Sequence, residues 1–290
     1  MHNKNIDKKY LESDINTDIN ATIESINLSW KPENVKEEIL SDINIRLEPG
    51  YVYGIIGPNG AGKSSLLRHI LAFLQSKKKE CVTIGGISVN DYSRKQLAKI
   101  LSFVPQKTDI DTDFTAEEIV MTGRTPYQNR WNGESKEDKE AVKEAFELTK
   151  SSHLADKQFS NLSGGEAQKI VITRAVAQGT PWIILDEPIA SLDIKNQIEI
   201  MQTLQQLNKE KHVSVLMVLH DINLAGIYCD RLIMLKKGKV IENAKTSICL
   251  TEKNLKKLYD IDFFKVKAPD GHIYYLASQP PSTASVKPLT

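Results

Sequence analysis

Eight residues, Gly57 to Ser64, read Gly-Pro-Asn-Gly-Ala-Gly-Lys-Ser and fit the spacing G-x-x-x-x-G-K-[ST]. These residue types suit one task, the cradling of linked phosphates. Gly57, Gly60 and Gly62 let the backbone turn tightly and aim its N–H groups inward, with Pro58, Asn59 and Ala61 between them. Lys63 can reach β- and γ-phosphates, and the Ser64 hydroxyl suits Mg²⁺. Further along, Pro181-Trp-Ile-Ile-Leu-Asp-Glu-Pro188 is an apolar run that ends in two carboxylates. An acid at the C-terminal edge of a strand is where α/β sheets hold ligands. Asp186 can hold Mg²⁺, and Glu187 can orient or polarise a water. His220 ends a second apolar run, Val213 to Leu219, and so takes the same kind of position.

Two other candidates are ambiguous as residues alone. Leu162-Ser-Gly-Gly-Glu-Ala-Gln168 opens a long helical pattern. Its glycines suit anion binding at a helix N-terminus, yet Ser163 and Glu166 also form an ordinary capping box. Gln106, directly after Pro105, is by itself only a polar loop residue.

The elements that must position these residues follow from periodicity. Tyr51 to Ile56 reads as a buried strand that should cover both Tyr51 and Tyr53. Ser64 to Leu74 reads as a helix, with Leu67, Ile70, Leu71 and Leu74 on one face. Ile26, Leu28 and Trp30, then Ile43, Ile45 and Leu47, alternate as in an antiparallel sheet that feeds the phosphate-loop strand through Pro49-Gly50. Trp30 ends the first of these strands. It is either a core aromatic or a flat surface for a nucleotide base. Val82–Ile84 and Ile100–Val104 continue the strands, with a short helix at Ser93–Ala98. Residues 107–165 carry few strand signals and read as a helical insertion, with Thr115 and Glu118 as a capping box and a charged helix over 134–150. Ser191-Leu-Asp193 leads another helix. Arg231–Leu235 and Lys239–Glu242 form a hairpin, and a helix at Glu252–Tyr259 precedes a last pair of strands.

Composition narrows the classes. The 290 residues carry a net charge of +1, so no bulk basic field points to nucleic acid. The three cysteines, Cys81, Cys229 and Cys249, are widely spaced and read as buried free thiols in a reducing compartment. Met1 to Asn20 is polar, which predicts a mobile tail and no secretory leader. The final dozen residues, rich in Pro, Ser and Thr, read as a second loose tail. No apolar run approaches the length of a membrane span, so any membrane role is expected through a partner.

Taken together, the motifs resemble those of the nucleotide-binding subunit of an ATP-binding cassette (ABC) transporter, over roughly residues 21–275. The order is the phosphate loop, Gln106, the Leu-Ser-Gly-Gly-Glu signature, Asp186-Glu187, the Ser-Leu-Asp loop and His220. The resemblance implies an α/β P-loop fold with a RecA-like core, an N-terminal antiparallel β subdomain and an α-helical insertion. It divides the chain into a tail (1–20), an ATPase domain (21–245) and a C-terminal extension (246–290).

It further implies that Trp30 stacks on adenine and that the backbone from Asn59 to Ser65, with Lys63, cradles ATP. Ser64, Gln106 and Asp186 would organise Mg²⁺, Glu187 would be general base, and His220 would hold the γ-phosphate. Ser163, Gly164, Gly165 and Glu166 of the signature, with Asp193, would complete the site of a second copy of the chain. Gly123-Arg124-Thr-Pro126-Tyr127 and His220-Asp-Ile-Asn-Leu-Ala-Gly-Ile-Tyr-Cys-Asp230 are similar to ATPases of iron-siderophore, haem and cobalamin importers. That group implies two membrane permease subunits, a substrate-binding protein and a peripheral place on the cytoplasmic face of the cell membrane. Ser65, Ile189, Ala167 and Lys169 depart from the usual pattern, but none removes a phosphate, metal or water ligand. The rival classes are exporter ATPases and soluble ABC ATPases. The latter usually carry tandem cassettes, coiled coils or zinc modules, which this chain lacks.

Overall fold

The computed structural model describes residues 21–33, 35–76, 80–106, 113–128 and 133–278. Both expected tails lie outside the described residues. In chain order, β1 (Ile23–Trp30), β2 (Leu40–Leu47) and β3 (Val52–Ile56) lead to α1 (Lys63–Ile70). Next come β4 (Val82–Ile84), β5 (Ile87–Ser88), α2 (Arg94–Leu97) and β6 (Leu101–Val104). α3 (Ala116–Met121), α4 (Lys136–Leu148) and α5 (Gly164–Ala177) follow, and then β7 (Trp182–Leu185), α6 (Ile194–Lys211), β8 (Ser214–Val218) and α7 (Ile222–Tyr228). β9 (Arg231–Lys236), β10 (Lys239–Lys245), α8 (Thr246–Cys249), α9 (Glu252–Tyr259), β11 (Phe263–Lys267) and β12 (Ile273–Ala277) complete the chain.

A six-stranded sheet, ordered β10-β9-β3-β8-β7-β6, forms the centre. All its pairings are parallel except the β9–β10 hairpin. Its inner strands are almost wholly apolar because both faces are covered. Alternate residues serve two different cores. Val52, Ile183, Leu185, Val215, Met217, Leu232 and Met234 face a core completed by α3 to α7 and α9. Tyr53, Ile55, Trp182, Ile184, Leu216, Val218, Ile233 and Leu235 face the other core, which is completed by α1 and the N-terminal strands. Those strands form the expected antiparallel sheet, ordered β2-β1-β4-β5. The Trp182 indole N–H crosses this second core to donate to the Ala21 carbonyl at 2.7 Å.

Between residues 113 and 163 the described chain consists of helices and turns, with one bridge, Thr115 to Gln158, and no strand. Thr115 and Glu118 form the expected capping box at α3, and Ser135 with Asp138 forms another at α4. Arg124 fastens this insertion to the central domain. Its Nε donates to the buried Asp138 at 2.9 Å, and its Nη1 donates to the Ala177 carbonyl at the end of α5 at 2.8 Å. Its guanidinium also covers the Tyr127 ring, 4.0 Å from the centroid. All three cysteines are free and buried.

Two local expectations are corrected. α1 stops at Ile70, four residues short of Leu74. Ala72 takes a left-handed φ of 55°, and Phe73 N–H turns back to the Arg68 carbonyl at 2.8 Å. This is a glycine-type helix ending made without glycine, so nothing in the sequence announces it. Tyr51 precedes β3 and is 37% exposed, with the Arg231 guanidinium over its ring. Only Tyr53 is buried, and its hydroxyl exchanges hydrogen bonds with the Glu48 backbone.

Candidate nucleotide site

The phosphate loop joins β3 to α1 at the C-terminal edge of the central sheet. Gly57 is required by close approach, since a Cβ there would lie 2.0 Å from the Leu235 carbonyl oxygen. Gly62 takes a φ of 99° as the residue before α1. The buried Lys63 ammonium donates to the carbonyls of Gly57 at 2.8 Å and Pro58 at 3.1 Å. Burial pulls its pKa below the usual lysine value, and the carboxylates of Glu187 and Asp186 pull it back up.

Three strand ends converge beside this loop. Ser64 Oγ donates to Asp186 Oδ1 at 2.9 Å, at the end of β7. Burial pushes the Asp186 carboxyl up. The Ser64 hydrogen bond opposes that rise, and the negative charge of Glu187 adds to it. Glu187 is held on both oxygens, as Gln106 Nε2 donates to Oε2 at 2.6 Å and His220 Nε2 lies 2.6 Å from Oε1. Gln106 follows β6 and His220 follows β8, so neighbouring parallel strands deliver all these groups to one edge. Glu187 also has a left-handed φ of 51°, an uncommon conformation for a residue with a side chain. Such strain persists where surrounding contacts enforce it, and it clusters at functional sites.

The predicted residues therefore fall into two groups. Lys63, Ser64, Gln106, Asp186, Glu187 and His220 are brought together. The signature and Asp193 form a separate group on the starts of α5 and α6. Ser163 caps α5, and its hydroxyl and backbone N–H both donate to Glu166, at 2.8 and 2.9 Å. Lys157 adds a 2.9 Å ion pair, and these contacts hold the Glu166 carboxyl down at about 2. Asp193 caps α6 and accepts from Asn196 N–H and Nδ2, which holds its pKa below the usual value. Asn196 also crowds Gly165, where a Cβ would lie 2.7 Å from Asn196 Nδ2, whereas a Cβ on Gly164 would meet open space.

Trp30 lies beside His69. Its ring meets the His69 ring edge-on at 5.3 Å, and His69 Nδ1–H donates to the Ser65 carbonyl at 2.8 Å. Sequence reading missed His69, Asn196 and Lys157. Glu166 lies nine residues from Lys157, too far for a local helical rule to pair them.

A phosphate loop on a parallel sheet, with a carboxylate pair and a histidine at the same edge, defines a P-loop nucleotide hydrolase. The chain belongs to the ABC transporter family, whose model matches residues 40–190. It is 37% identical to the iron(3+)-hydroxamate import ATP-binding protein FhuC of Bacillus subtilis, over 77% of this chain and 83% of that protein. It is 34% identical to the ferric enterobactin transport ATP-binding protein FepC of Escherichia coli, over 86% and 93%. Among solved structures it resembles an ABC transporter described as metal-chelate type in an inward-facing conformation, with a TM-score of 0.77, 25% identity and 90% and 98% coverage. It also resembles a dimeric post-hydrolysis cassette, MJ0796 bound to ADP and Pi, with a TM-score of 0.66, 30% identity and 77% and 98% coverage. The chain is thus an ATP-binding, ATP-hydrolysing cassette. No helix among the described residues is long and apolar enough to cross a membrane.

Proposed function

We propose that this ATPase powers a membrane importer for ferric siderophore, with haem and cobalamin as the related cargoes. The observation that carries the reading is the likeness to two ferric-siderophore subunits over 77% and 86% of the chain. The ATPase domain is taken as residues 21–245, with a helical subdomain at about 107–165, and residues 246–290 form an extension.

The proposed roles are supported by the grouping of these residues around the phosphate loop. Loop N–H groups from Asn59 to Ser65 and the Lys63 ammonium bind the phosphates, and Trp30 offers a face to adenine. Glu187 is the general base, aimed by Gln106 and His220. His220 also reaches the γ-phosphate. Phosphoryl transfer needs mainly positioning and charge stabilisation, which this set supplies. A buried carboxylate bonded to a hydroxyl is a hard oxygen donor pair that fits Mg²⁺. Asp186 and Ser64, with Gln106 beside them, would hold the ion, which supplies charge neutralisation at the phosphates.

The site is shared between two copies. Ser163, Gly164, Gly165 and Glu166 present a helix start to solvent, and Asp193 lies beside them. In a dimer these residues face the nucleotide on the second copy. Two membrane permease subunits, and through them a substrate-binding protein, complete the assembly on the cytoplasmic face of the cell membrane. The segment Gly123–Tyr127 is the permease contact, because Arg124 links it rigidly to α4 and α5.

The test is co-purification with a permease, followed by ATP-driven uptake into vesicles. Ferric siderophore uptake that stops with a non-hydrolysable nucleotide is the expected result. Uptake of haem or cobalamin alone would reassign the cargo. ATP hydrolysis with no associated permease would move the chain to the soluble ABC ATPases.

A further inference from the structure

His69 is a buried histidine on α1 that stands between the phosphate cradle and Trp30. Its Nδ1–H donates to the Ser65 carbonyl at 2.8 Å, and this fixes the tautomer, because a carbonyl can only accept. Burial holds the imidazole below the usual histidine value, so the ring is neutral at working pH. Nε2 is buried and meets no hydrogen-bond partner among the described residues. A buried acceptor left unpaired costs stability, so hydrogen bonding alone does not account for a histidine here. The ring also meets the Trp30 ring edge-on, with centroids 5.3 Å apart and planes at 72°. That is a favoured arrangement for an aromatic pair, and it orients one ring by the other.

Trp30 ends β1 and is half-buried. Its backbone is held, since Trp30 pairs with Leu40 on β2 and its carbonyl accepts from Ile39 N–H at 2.9 Å. The chain entering β2 also abuts the phosphate loop, where a Cβ on Gly62 would lie 2.8 Å from the Ile39 carbonyl oxygen. The register of β1 against β2 shifts between Leu28 and Trp30, so a regular ladder does not set the direction of the indole.

We propose that His69 is a positioning residue for the nucleobase, setting the Trp30 indole against the phosphate cradle so that base and phosphates are bound by one rigid frame. The inference rests on the reading of Trp30 as the platform for adenine, and the experiment separates the two.

Calorimetry on the full-length chain compares two magnesium-loaded probes, ATP and inorganic tripolyphosphate, which has linked phosphates and no base. His69→Leu keeps most of the volume and removes the aromatic edge. Its Kd for ATP should rise about two- to tenfold, the worth of an oriented aromatic pair, while its Kd for tripolyphosphate stays at the wild-type value. His69→Phe restores an aromatic edge and should bring the ATP Kd back toward wild type. Adding His69→Leu to Trp30→Ala should weaken ATP binding no further than Trp30→Ala alone, because the two residues act as one unit. All variants are titrated at a temperature where their melting curves show them fully folded. An unchanged ATP Kd in His69→Leu, an equal rise for both probes, a His69→Phe loss as large as that of His69→Leu, or additive losses in the double variant overturns the positioning role. If Trp30→Ala itself binds ATP as wild type does, the adenine platform fails and this inference with it.

Discussion

The phosphate loop and the signature are both glycine-containing segments that open a helix, yet they are held in opposite ways. The loop is tied by contacts distant in sequence. Ser64 and Asp186 are 122 residues apart, and Gly57 lies against Leu235. The signature is held by nearer partners, Ser163 with Glu166 three residues on and Lys157 nine residues from Glu166. One segment is completed by distant strands, and the other is held by nearer partners and stands partly exposed. The difference supports the proposal that they belong to different halves of a shared site, one built in cis and one offered in trans.

The strongest way to break this comparison acts on the cis half. Glu187→Gln should retain ATP and lower turnover by roughly 10²–10⁴-fold, the usual contribution of a general base. Single-turnover phosphate release measures it, and normal turnover would remove Glu187 from that role. Lys63→Ala comes next. Losing a charge-assisted contact to phosphate should weaken ATP binding about 10–100-fold, and titration with ATP would show whether affinity is instead unaffected. The trans half is probed by Ser163→Arg mixed with wild type. Hydrolysis per wild-type chain should fall as the variant is added. A constant rate per wild-type chain would contradict a shared site.

The smallest effect tests whether the signature is locally self-sufficient. The Glu166 carboxyl is depressed from 4.5 to about 2 by Lys157 and Ser163. A depressed carboxyl contributes stability that is complete above the unfolded value and is lost as pH falls through the folded one. Wild-type protein should therefore lose a small increment of thermal stability between about pH 4.5 and 2, and Glu166→Gln should lose less over the same window. Identical melting profiles for the two proteins would show that the capping box carries no such linkage.

Some of this is visible in the sequence, and the rest is hidden for physical reasons. Strands read clearly because burial on both faces makes β3, β7, β8 and β9 largely apolar, and capping boxes at Thr115 and Ser163 announce their helices. Asp186, Glu187 and His220 are legible because they end apolar runs. Their convergence depends on strand order, which spacing along the chain does not encode, so the family resemblance alone anticipates it. The left-handed turn at Ala72 and the strained backbone at Glu187 carry no glycine to reveal them.

The bond from Trp182 to Ala21 sets a practical boundary for shortening the protein. Trp182 is wholly buried, and its indole N–H has its acceptor in the first described residue. A version that starts at Asn20 keeps that acceptor in place. One that starts at Thr22 strands an indole N–H inside an apolar core, at a cost of about 1–3 kcal/mol. Affinity tags and fusions at the amino end therefore belong upstream of Ala21, where they leave the floor of the nucleotide-binding core intact.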